Sequence, residues 1–151
     1  MGKSGEKKMF IGQYEHSVDQ KGRLAIPSKF RKNLSDGAVV TKGLDGCLFL
    51  FSRAKWQEMA ENIGQLPETK SSARLYSRLI LAGASEAEFD NQGRVLIPAY
   101  LRKYAGVKSS VVVAGVYDRI EIWSKAVWDK YIEKNEKEAA EIVESLSESR
   151  S

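Results

Sequence analysis

The chain has 151 residues, 42% hydrophobic and 29% charged, a composition that suits one globular domain or two small ones and excludes a disordered or fibrous chain. No stretch approaches the roughly 20 apolar residues of a membrane-spanning helix, and the polar start MGKSGEKK has no signal-peptide apolar region. A single cysteine, Cys47, excludes an internal disulfide framework and fits a reducing cytosol, while the net charge of +4 divides unevenly, with four basic and seven acidic residues over Asp129–Ser151 and 20 basic and 13 acidic before them.

In chain order, Met1–Lys8 reads as a flexible lead. Tyr14, His16 and Val18 alternate with Glu15 and Ser17, which predicts a short strand. Asp19-Gln20-Lys21-Gly22 predicts a turn, because the Asp side chain can bond backbone amides and Gly tolerates positive φ. Arg23–Ile26 alternates again, with Leu24 and Ile26 on one face, until Pro27 ends the strand and opens a short helix over Ser28–Leu34. A strand over Ala38–Lys42, an Asp-Gly hairpin at Leu44-Asp45-Gly46 and an apolar strand over Cys47–Phe51 follow. Ser52 is placed to cap a helix whose Trp56, Met59, Ala60 and Ile63 fall on one face. After a break at Leu66-Pro67, Thr69–Leu81 predicts a helix with a basic stripe of Lys70, Arg74 and Arg78. The next elements copy the first set: the turn Asp90–Gly93, a strand over Arg94–Ile97, Pro98, a short helix to Tyr104, strands over Ser110–Ala114 and Arg119–Trp123, and a helix capped by Ser124. Beyond it the tail predicts a helix that frays.

The copying is literal. DQKGRLAIPSKFRK (Asp19–Lys32) and DNQGRVLIPAYLRK (Asp90–Lys103) share Asp, Gly, Arg, Ile, Pro, Arg and Lys at an offset of 71 residues, and Gly43–Trp56 aligns with Gly115–Trp128 at an offset of 72. Two copies are too few for a solenoid and are expected to pair with each other. A β-β-α-β-β unit cannot bury both faces alone, so two interleaved units are expected to close a small barrel. The segments are a lead at 1–8, a first repeat at 13–57, a linker helix region at 58–83, a second repeat at 84–128, and a C-terminal helix with acidic tail at 129–151.

Chemistry is concentrated in the repeated turn. Arg23 and Arg94 each follow a turn glycine, Gly22 or Gly93, at the start of a strand, where a planar guanidinium can make two bonds at once to a phosphate or a guanine edge. Lys21, Arg31 and Lys32 add positive charge to the first copy, whereas Gln92 replaces Lys21 in the second. The same spacing equally allows Asp19–Arg23 and Asp90–Arg94 to be ion pairs that staple the turns, and both readings can hold together. A basic body with an acidic tail points to a polyanionic partner. His16 is the sole histidine and Cys47 lies in an apolar strand. With no cluster of metal-ligating residues, no phosphate-binding loop and no G-x-G-x-x-G, the sequence predicts no enzyme, metal, cofactor or small-molecule substrate.

The segments MFIGQYEHSVDQKGRLAIPSKFR and RLILAGASEAEFDNQGRVLIPAYLR, with their duplicated D-x-x-x-R, resemble the MraZ family of bacterial transcriptional regulators of the division and cell-wall gene cluster, over about residues 9 to 130. Each half is similar to the AbrB/SpoVT swapped-hairpin family. The resemblance implies an α+β fold with a β-barrel-like core built from two tandem swapped-hairpin repeats and flanking helices. It also implies a cytoplasmic, nucleoid-associated ring, commonly an octamer, that binds short direct repeats in double-stranded DNA upstream of its own operon. By position it assigns DNA contact to Arg23, with Lys21 and Gly22 also matching. The competing expectation is a protein-interaction or assembly module, antitoxin-like, with the same barrel and no specific DNA readout.

Overall fold

The computed structural model describes residues 9–149; the expected lead over Met1–Lys8 lies outside the described residues, as do positions 150 and 151. The first half runs β1 (Phe10–Ser17), β2 (Arg23–Ala25), α1 (Ser28–Arg31) with a 3-10 turn over Lys32–Leu34, β3 (Ala38–Lys42), β4 (Leu48–Ser52) and α2 (Arg53–Gly64). A connection containing α3 (Ser71–Ser77) and a π-helical turn over Arg78–Ala82 leads to the second half. That half runs β5 (Ser85–Ala87), β6 (Arg94–Leu96), α4 (Ala99–Ala105), β7 (Ser110–Tyr117), β8 (Arg119–Ser124) and α5 (Lys125–Glu136), and α6 (Ala139–Ser149) follows. Pro27 and Pro98 stand immediately before α1 and α4. Their fixed φ and missing N–H end the strand and start the helix in the same residue.

The strands interleave the two halves. A six-stranded antiparallel sheet runs in the order β1-β7-β8-β4-β3-β5, and β2 and β6 form a separate two-stranded ribbon. β1 of the first half pairs with β7 of the second, and β5 of the second pairs with β3 of the first. The register is two-fold: Tyr14↔Val113, Glu15↔Val112 and His16↔Val111 are matched by Ser85↔Val40, Glu86↔Val39 and Ala87↔Ala38. The axis passes through Leu24↔Val95 in the ribbon and Phe49↔Glu121 in the β4–β8 ladder, where equivalent residues face each other. The pairing also corrects the alignment of the repeats. Ala38 is the counterpart of Val111, an offset of 73, because each pairs with the serine that opens the following helix, Ser52 or Ser124. Gly43 and Gly115 are therefore not equivalent; two residues were gained before β7, and the β7–β8 hairpin is one shorter.

Alternation along the central strands divides the core into two layers. Leu48, Leu50, Ile120 and Ile122 face the ribbon and its short helices, packing with Leu24, Val95, Phe30 and Leu101. Phe49, Phe51, Val112 and Trp123 face the other way, beneath Trp56 and Met59 of α2 and Trp128 of α5.

Several expectations are corrected. The sheet does not close into a barrel: β1 and β5 are its two edges. The prolines stop β2 and β6 after three residues, whose ladder partners lie in each other, and among the described residues one bridge, Val18↔Leu24, joins the residue after β1 to β2. The first strand begins at Phe10, not Tyr14, because β7 offers an eight-residue partner. The linker helix expected to run to Leu81 changes to a π-helical turn at Arg78, where the Thr41 hydroxyl donates to the Ile80 carbonyl at 2.7 Å. Ser52 caps α2 by accepting from the Lys55 amide at 3.2 Å, but Ser124 makes no side-chain cap. At the Asp-Gly hairpin, Asp45 (φ 62°) and Gly46 (φ 85°) take the positive φ of a type I′ turn.

Leu24 is fully buried on the axis, whereas Leu96 on the same ribbon is 54% exposed. Leu24→Ala is expected to cost about 2–5 kcal/mol, and Leu96→Ala to stay within about 0.5 kcal/mol. Urea unfolding midpoints of the two variants check the contrast.

Candidate nucleic-acid interface

The two D-x-x-x-R turns are built alike. Asp19 Oδ1 accepts from the Lys21 amide at 3.0 Å and the Arg23 amide at 2.9 Å, while Oδ2 accepts from Arg23 Nε at 2.9 Å. Asp90 Oδ1 accepts from the Gln92 amide at 2.8 Å and the Arg94 amide at 2.9 Å, with Oδ2 on Arg94 Nε at 2.9 Å. The Asp-Arg staple is therefore formed in both copies. Arg23 donates its amide to the Asp19 carboxyl, its strongest influence, and the Arg23 guanidinium and Lys21 amide add to it, so the carboxyl lies below its ordinary pKa. The Arg94 amide, the Gln92 amide and the Arg94 guanidinium do the same for Asp90.

Each turn glycine is closed over by the opposite half. Gly22 (φ 89°) and Gly93 (φ 75°) hold a conformation that costs other residues roughly 1–2 kcal/mol. Their carbonyls accept from the other half: Gly93 O from the Ile26 amide at 3.2 Å, Gly22 O from the Ile97 amide at 2.7 Å. A Cβ at Gly22 would stand 2.9 Å from Ile97 O and 3.0 Å from the Arg102 guanidinium, and one at Gly93 would collide with the Arg31 guanidinium. Arg102 Nε is held by Ile97 O at 2.9 Å. Arg31 Nε is buried without an acceptor among the described residues.

These contacts redistribute the charge expected from the sequence. Lys21 and Lys32 are exposed. Arg31, grouped with the first copy by its position in the chain, lies against the second turn. The first turn receives Arg102, which sequence reasoning missed although it aligns with Arg31 at the repeat offset of 71. The glutamates repeated before each turn behave in the same crossed manner: Glu15 pairs with Lys125 at 3.3 Å and Glu86 with Arg53 at 2.8 Å.

On the ribbon, Leu24 and Val95 point into the core, so Arg23, Ala25, Arg94 and Leu96 occupy the outer face. Arg23 and Arg94 sit diagonally across the axis. They are not equivalent. Arg94 reaches both carboxylates, with Nη1 3.5 Å from Asp19 Oδ2, and its side chain is 25% exposed. Among the described residues Arg23 engages Asp19 only, its two terminal nitrogens make no hydrogen bond, and its side chain is 36% exposed. The arrangement offers a planar cationic fork, flanked by Lys21, at the tip of a two-stranded ribbon.

Away from the ribbon, Cys47 is a core residue whose thiol donates to the Leu44 carbonyl at 3.1 Å, and burial pushes its pKa up to about 12. His16 lines a shallow cleft with Glu15 and Lys125. Among the described residues no group of three His, Cys, Asp or Glu side chains is placed to hold a metal, and no helix is long and apolar enough to cross a membrane.

Lowered carboxyl pKa values make the turns stabilising above the ordinary carboxylate range, a contribution lost as pH falls through the lowered values. Asp19→Asn/Asp90→Asn is expected to flatten the fall in stability between about pH 5 and pH 2, read as urea midpoint against pH.

Comparison with known proteins agrees with this duplicated design. The sequence model described as "MraZ protein, putative antitoxin-like" matches residues 9–79 and again 80–148. Proteins named "Transcriptional regulator MraZ" from Natranaerobius thermophilus (48% identical), Caldanaerobacter subterraneus subsp. tengcongensis (49%) and Thermoanaerobacter pseudethanolicus (49%) align with 91%, 91% and 93% of this chain and 96%, 96% and 98% of their own lengths. Their name describes a regulator, not an enzyme. With two tandem matches and near-complete alignment to such relatives, the chain belongs to the MraZ family.

Proposed function

We propose that the protein is a sequence-specific transcriptional regulator that reads double-stranded DNA with the outer face of its β2–β6 ribbon. The observation that carries the reading is the pair of stapled arginine turns on that face, one of them with its terminal guanidinium nitrogens uncommitted among the described residues. A two-stranded ribbon fits the major groove, about 12 Å wide, where an arginine fork can address guanine O6 and N7. In this reading Arg23 makes the base contact and Lys21 supports it against phosphate. Arg94 is a lesser contact, and Lys32 and Arg31 contribute field more than direct contact. Asp19, Gly22, Pro27 and their copies Asp90, Gly93 and Pro98 shape the turns that carry them.

The name of the relatives, "Transcriptional regulator MraZ", supports the regulatory role. The finer proposal is a nucleoid-associated ring of chains, an octamer, on short direct repeats upstream of its own operon in the division and cell-wall cluster. The interleaved halves are then the single-chain form of a swapped-hairpin pair. Several identical ribbons on one ring would add weak single contacts through effective concentration, which suits an operator made of repeats.

Arg23→Ala is expected to abolish binding to a fragment of the chain's own upstream region. Arg94→Ala is expected to weaken it less, since the loss of one bidentate pair is worth about 1–3 kcal/mol and Arg94 is already shared between two carboxylates. Gel-shift titration checks this order, with circular dichroism reporting that the fold is kept. For the wild type, log K should fall with log salt at about 0.9 per phosphate contacted; unchanged binding by Arg23→Ala, or a flat salt response, rejects the reading.

A second reading draws on the antitoxin-like description of the family and on the open strand edges β1 and β5, which can accept a strand from another protein. It makes the chain a protein-interaction module without DNA readout. Stoichiometric co-purification of a protein partner with no affinity for the upstream fragment would favour it.

A further inference from the structure

The C-terminal helix α6 is amphipathic, and its apolar face is exposed among the described residues. Ala139, Ile142, Val143 and Leu146 fall on one face at helical spacing, no residue of the helix is buried, and Leu146 is 61% exposed. An isolated helix shorter than about 12–15 residues is marginal in water, and α6 has 11. The helix therefore needs a surface. It carries Glu141, Glu144 and Glu148 and no lysine or arginine over Ala139–Ser149.

A complementary surface lies elsewhere on the chain. α2 and α3 enclose an open groove of about 460 Å³ lined by Ile63, Leu66, Ala73 and Leu81, with Arg74 and Arg78 on its rim. Both rim arginines are exposed, and Lys70 continues the same stripe. Leu75 beside it is 66% exposed. Glu68 also lines the groove, and its backbone carbonyl accepts from Arg74 Nη1 at 2.9 Å. The apolar floor and basic rim match the apolar stripe and acidic flanks of α6. Their lengths agree too: at about 1.5 Å per residue, α6 and α2 have 11 and 12 residues.

We propose that α6 of one copy docks in the α2–α3 groove of a second copy, Leu146 and Ile142 entering the groove while Glu141 and Glu144 face Arg74 and Arg78. Because the helix and the groove are different patches of one surface, the contact is head-to-tail, and repeating it closes a ring or extends a chain. This does not depend on the DNA reading and uses none of its residues.

Light scattering coupled to size exclusion tests the contact with two variants: Leu146→Arg, which spoils the helix and leaves the groove, and Arg74→Glu/Arg78→Glu, which spoils the groove and leaves the helix. The wild type is expected as an assembly, and each variant alone as a single chain or with the assembly dissociation constant raised about tenfold or more. An equimolar mixture should recover species of two chains, because one intact helix meets one intact groove. Removing residues 139–151 should act like Leu146→Arg, and the near-UV circular dichroism of the packed tryptophans Trp56, Trp123 and Trp128 should be kept in all three, reporting that the fold is intact. A wild type that runs as a single chain, variants that keep the wild-type mass, or a mixture that stays as single chains would each overturn the proposal. Loss of assembly in Leu146→Arg alone, with Arg74→Glu/Arg78→Glu keeping the wild-type mass, would mean that α6 pairs with α6.

Discussion

Strand pairing between the two halves is the constraint on which everything else rests. The first strand of each half finds its partner in the other half, and the short strands after the turns, β2 and β6, pair with each other. Neither half presents a complete sheet. Of the ladders, only β3–β4 and β7–β8 lie within one half. A lone half of this length would have buried too little surface to hold together; the interleaved pair shares two apolar layers around one central sheet.

The same crossing builds the arginine face. The ribbon exists because each half supplies one strand, and each turn is finished by groups from the opposite half: the Ile97 amide and Arg102 on Gly22, the Ile26 amide and Arg31 on Gly93. Turn geometry is thereby coupled to the central pairing, which fixes where the guanidinium groups stand. The near-symmetry is broken where it bears on charge, since Arg94 spans both carboxylates and Arg23 does not.

What could be read from the sequence was local or repeated. The D-x-x-G-R turns, the proline junctions and the Asp-Gly hairpin follow from the backbone chemistry of a few adjacent residues, and the duplication announced that two halves would pair. What escaped depends on contacts distant in the chain. By chain order Arg31 belongs to the first turn, but pairing carries it to the second. Gly43 and Gly115 are equivalent by identity, and only the ladders make Ala38 the counterpart of Val111. The early start of β1 at Phe10, across a glycine with φ 110°, and the π-helical turn at Arg78 were likewise set by neighbours, β7 and Thr41.

The axial pair in the β4–β8 ladder has a further consequence. Any true duplicate would set phenylalanine against phenylalanine or glutamate against glutamate at this point. Here Phe49 faces Glu121, with Arg119 stacked 4.8 Å over the ring and bonded to the carboxylate at 2.8 Å, and the Trp123 indole completes the set at 2.9 Å. Two first halves from separate molecules could not reproduce that cluster, so it favours unlike halves. It does not ask that both come from one polypeptide, so the segment joining them, and the local concentration it imposes, is what keeps neighbouring molecules from trading halves.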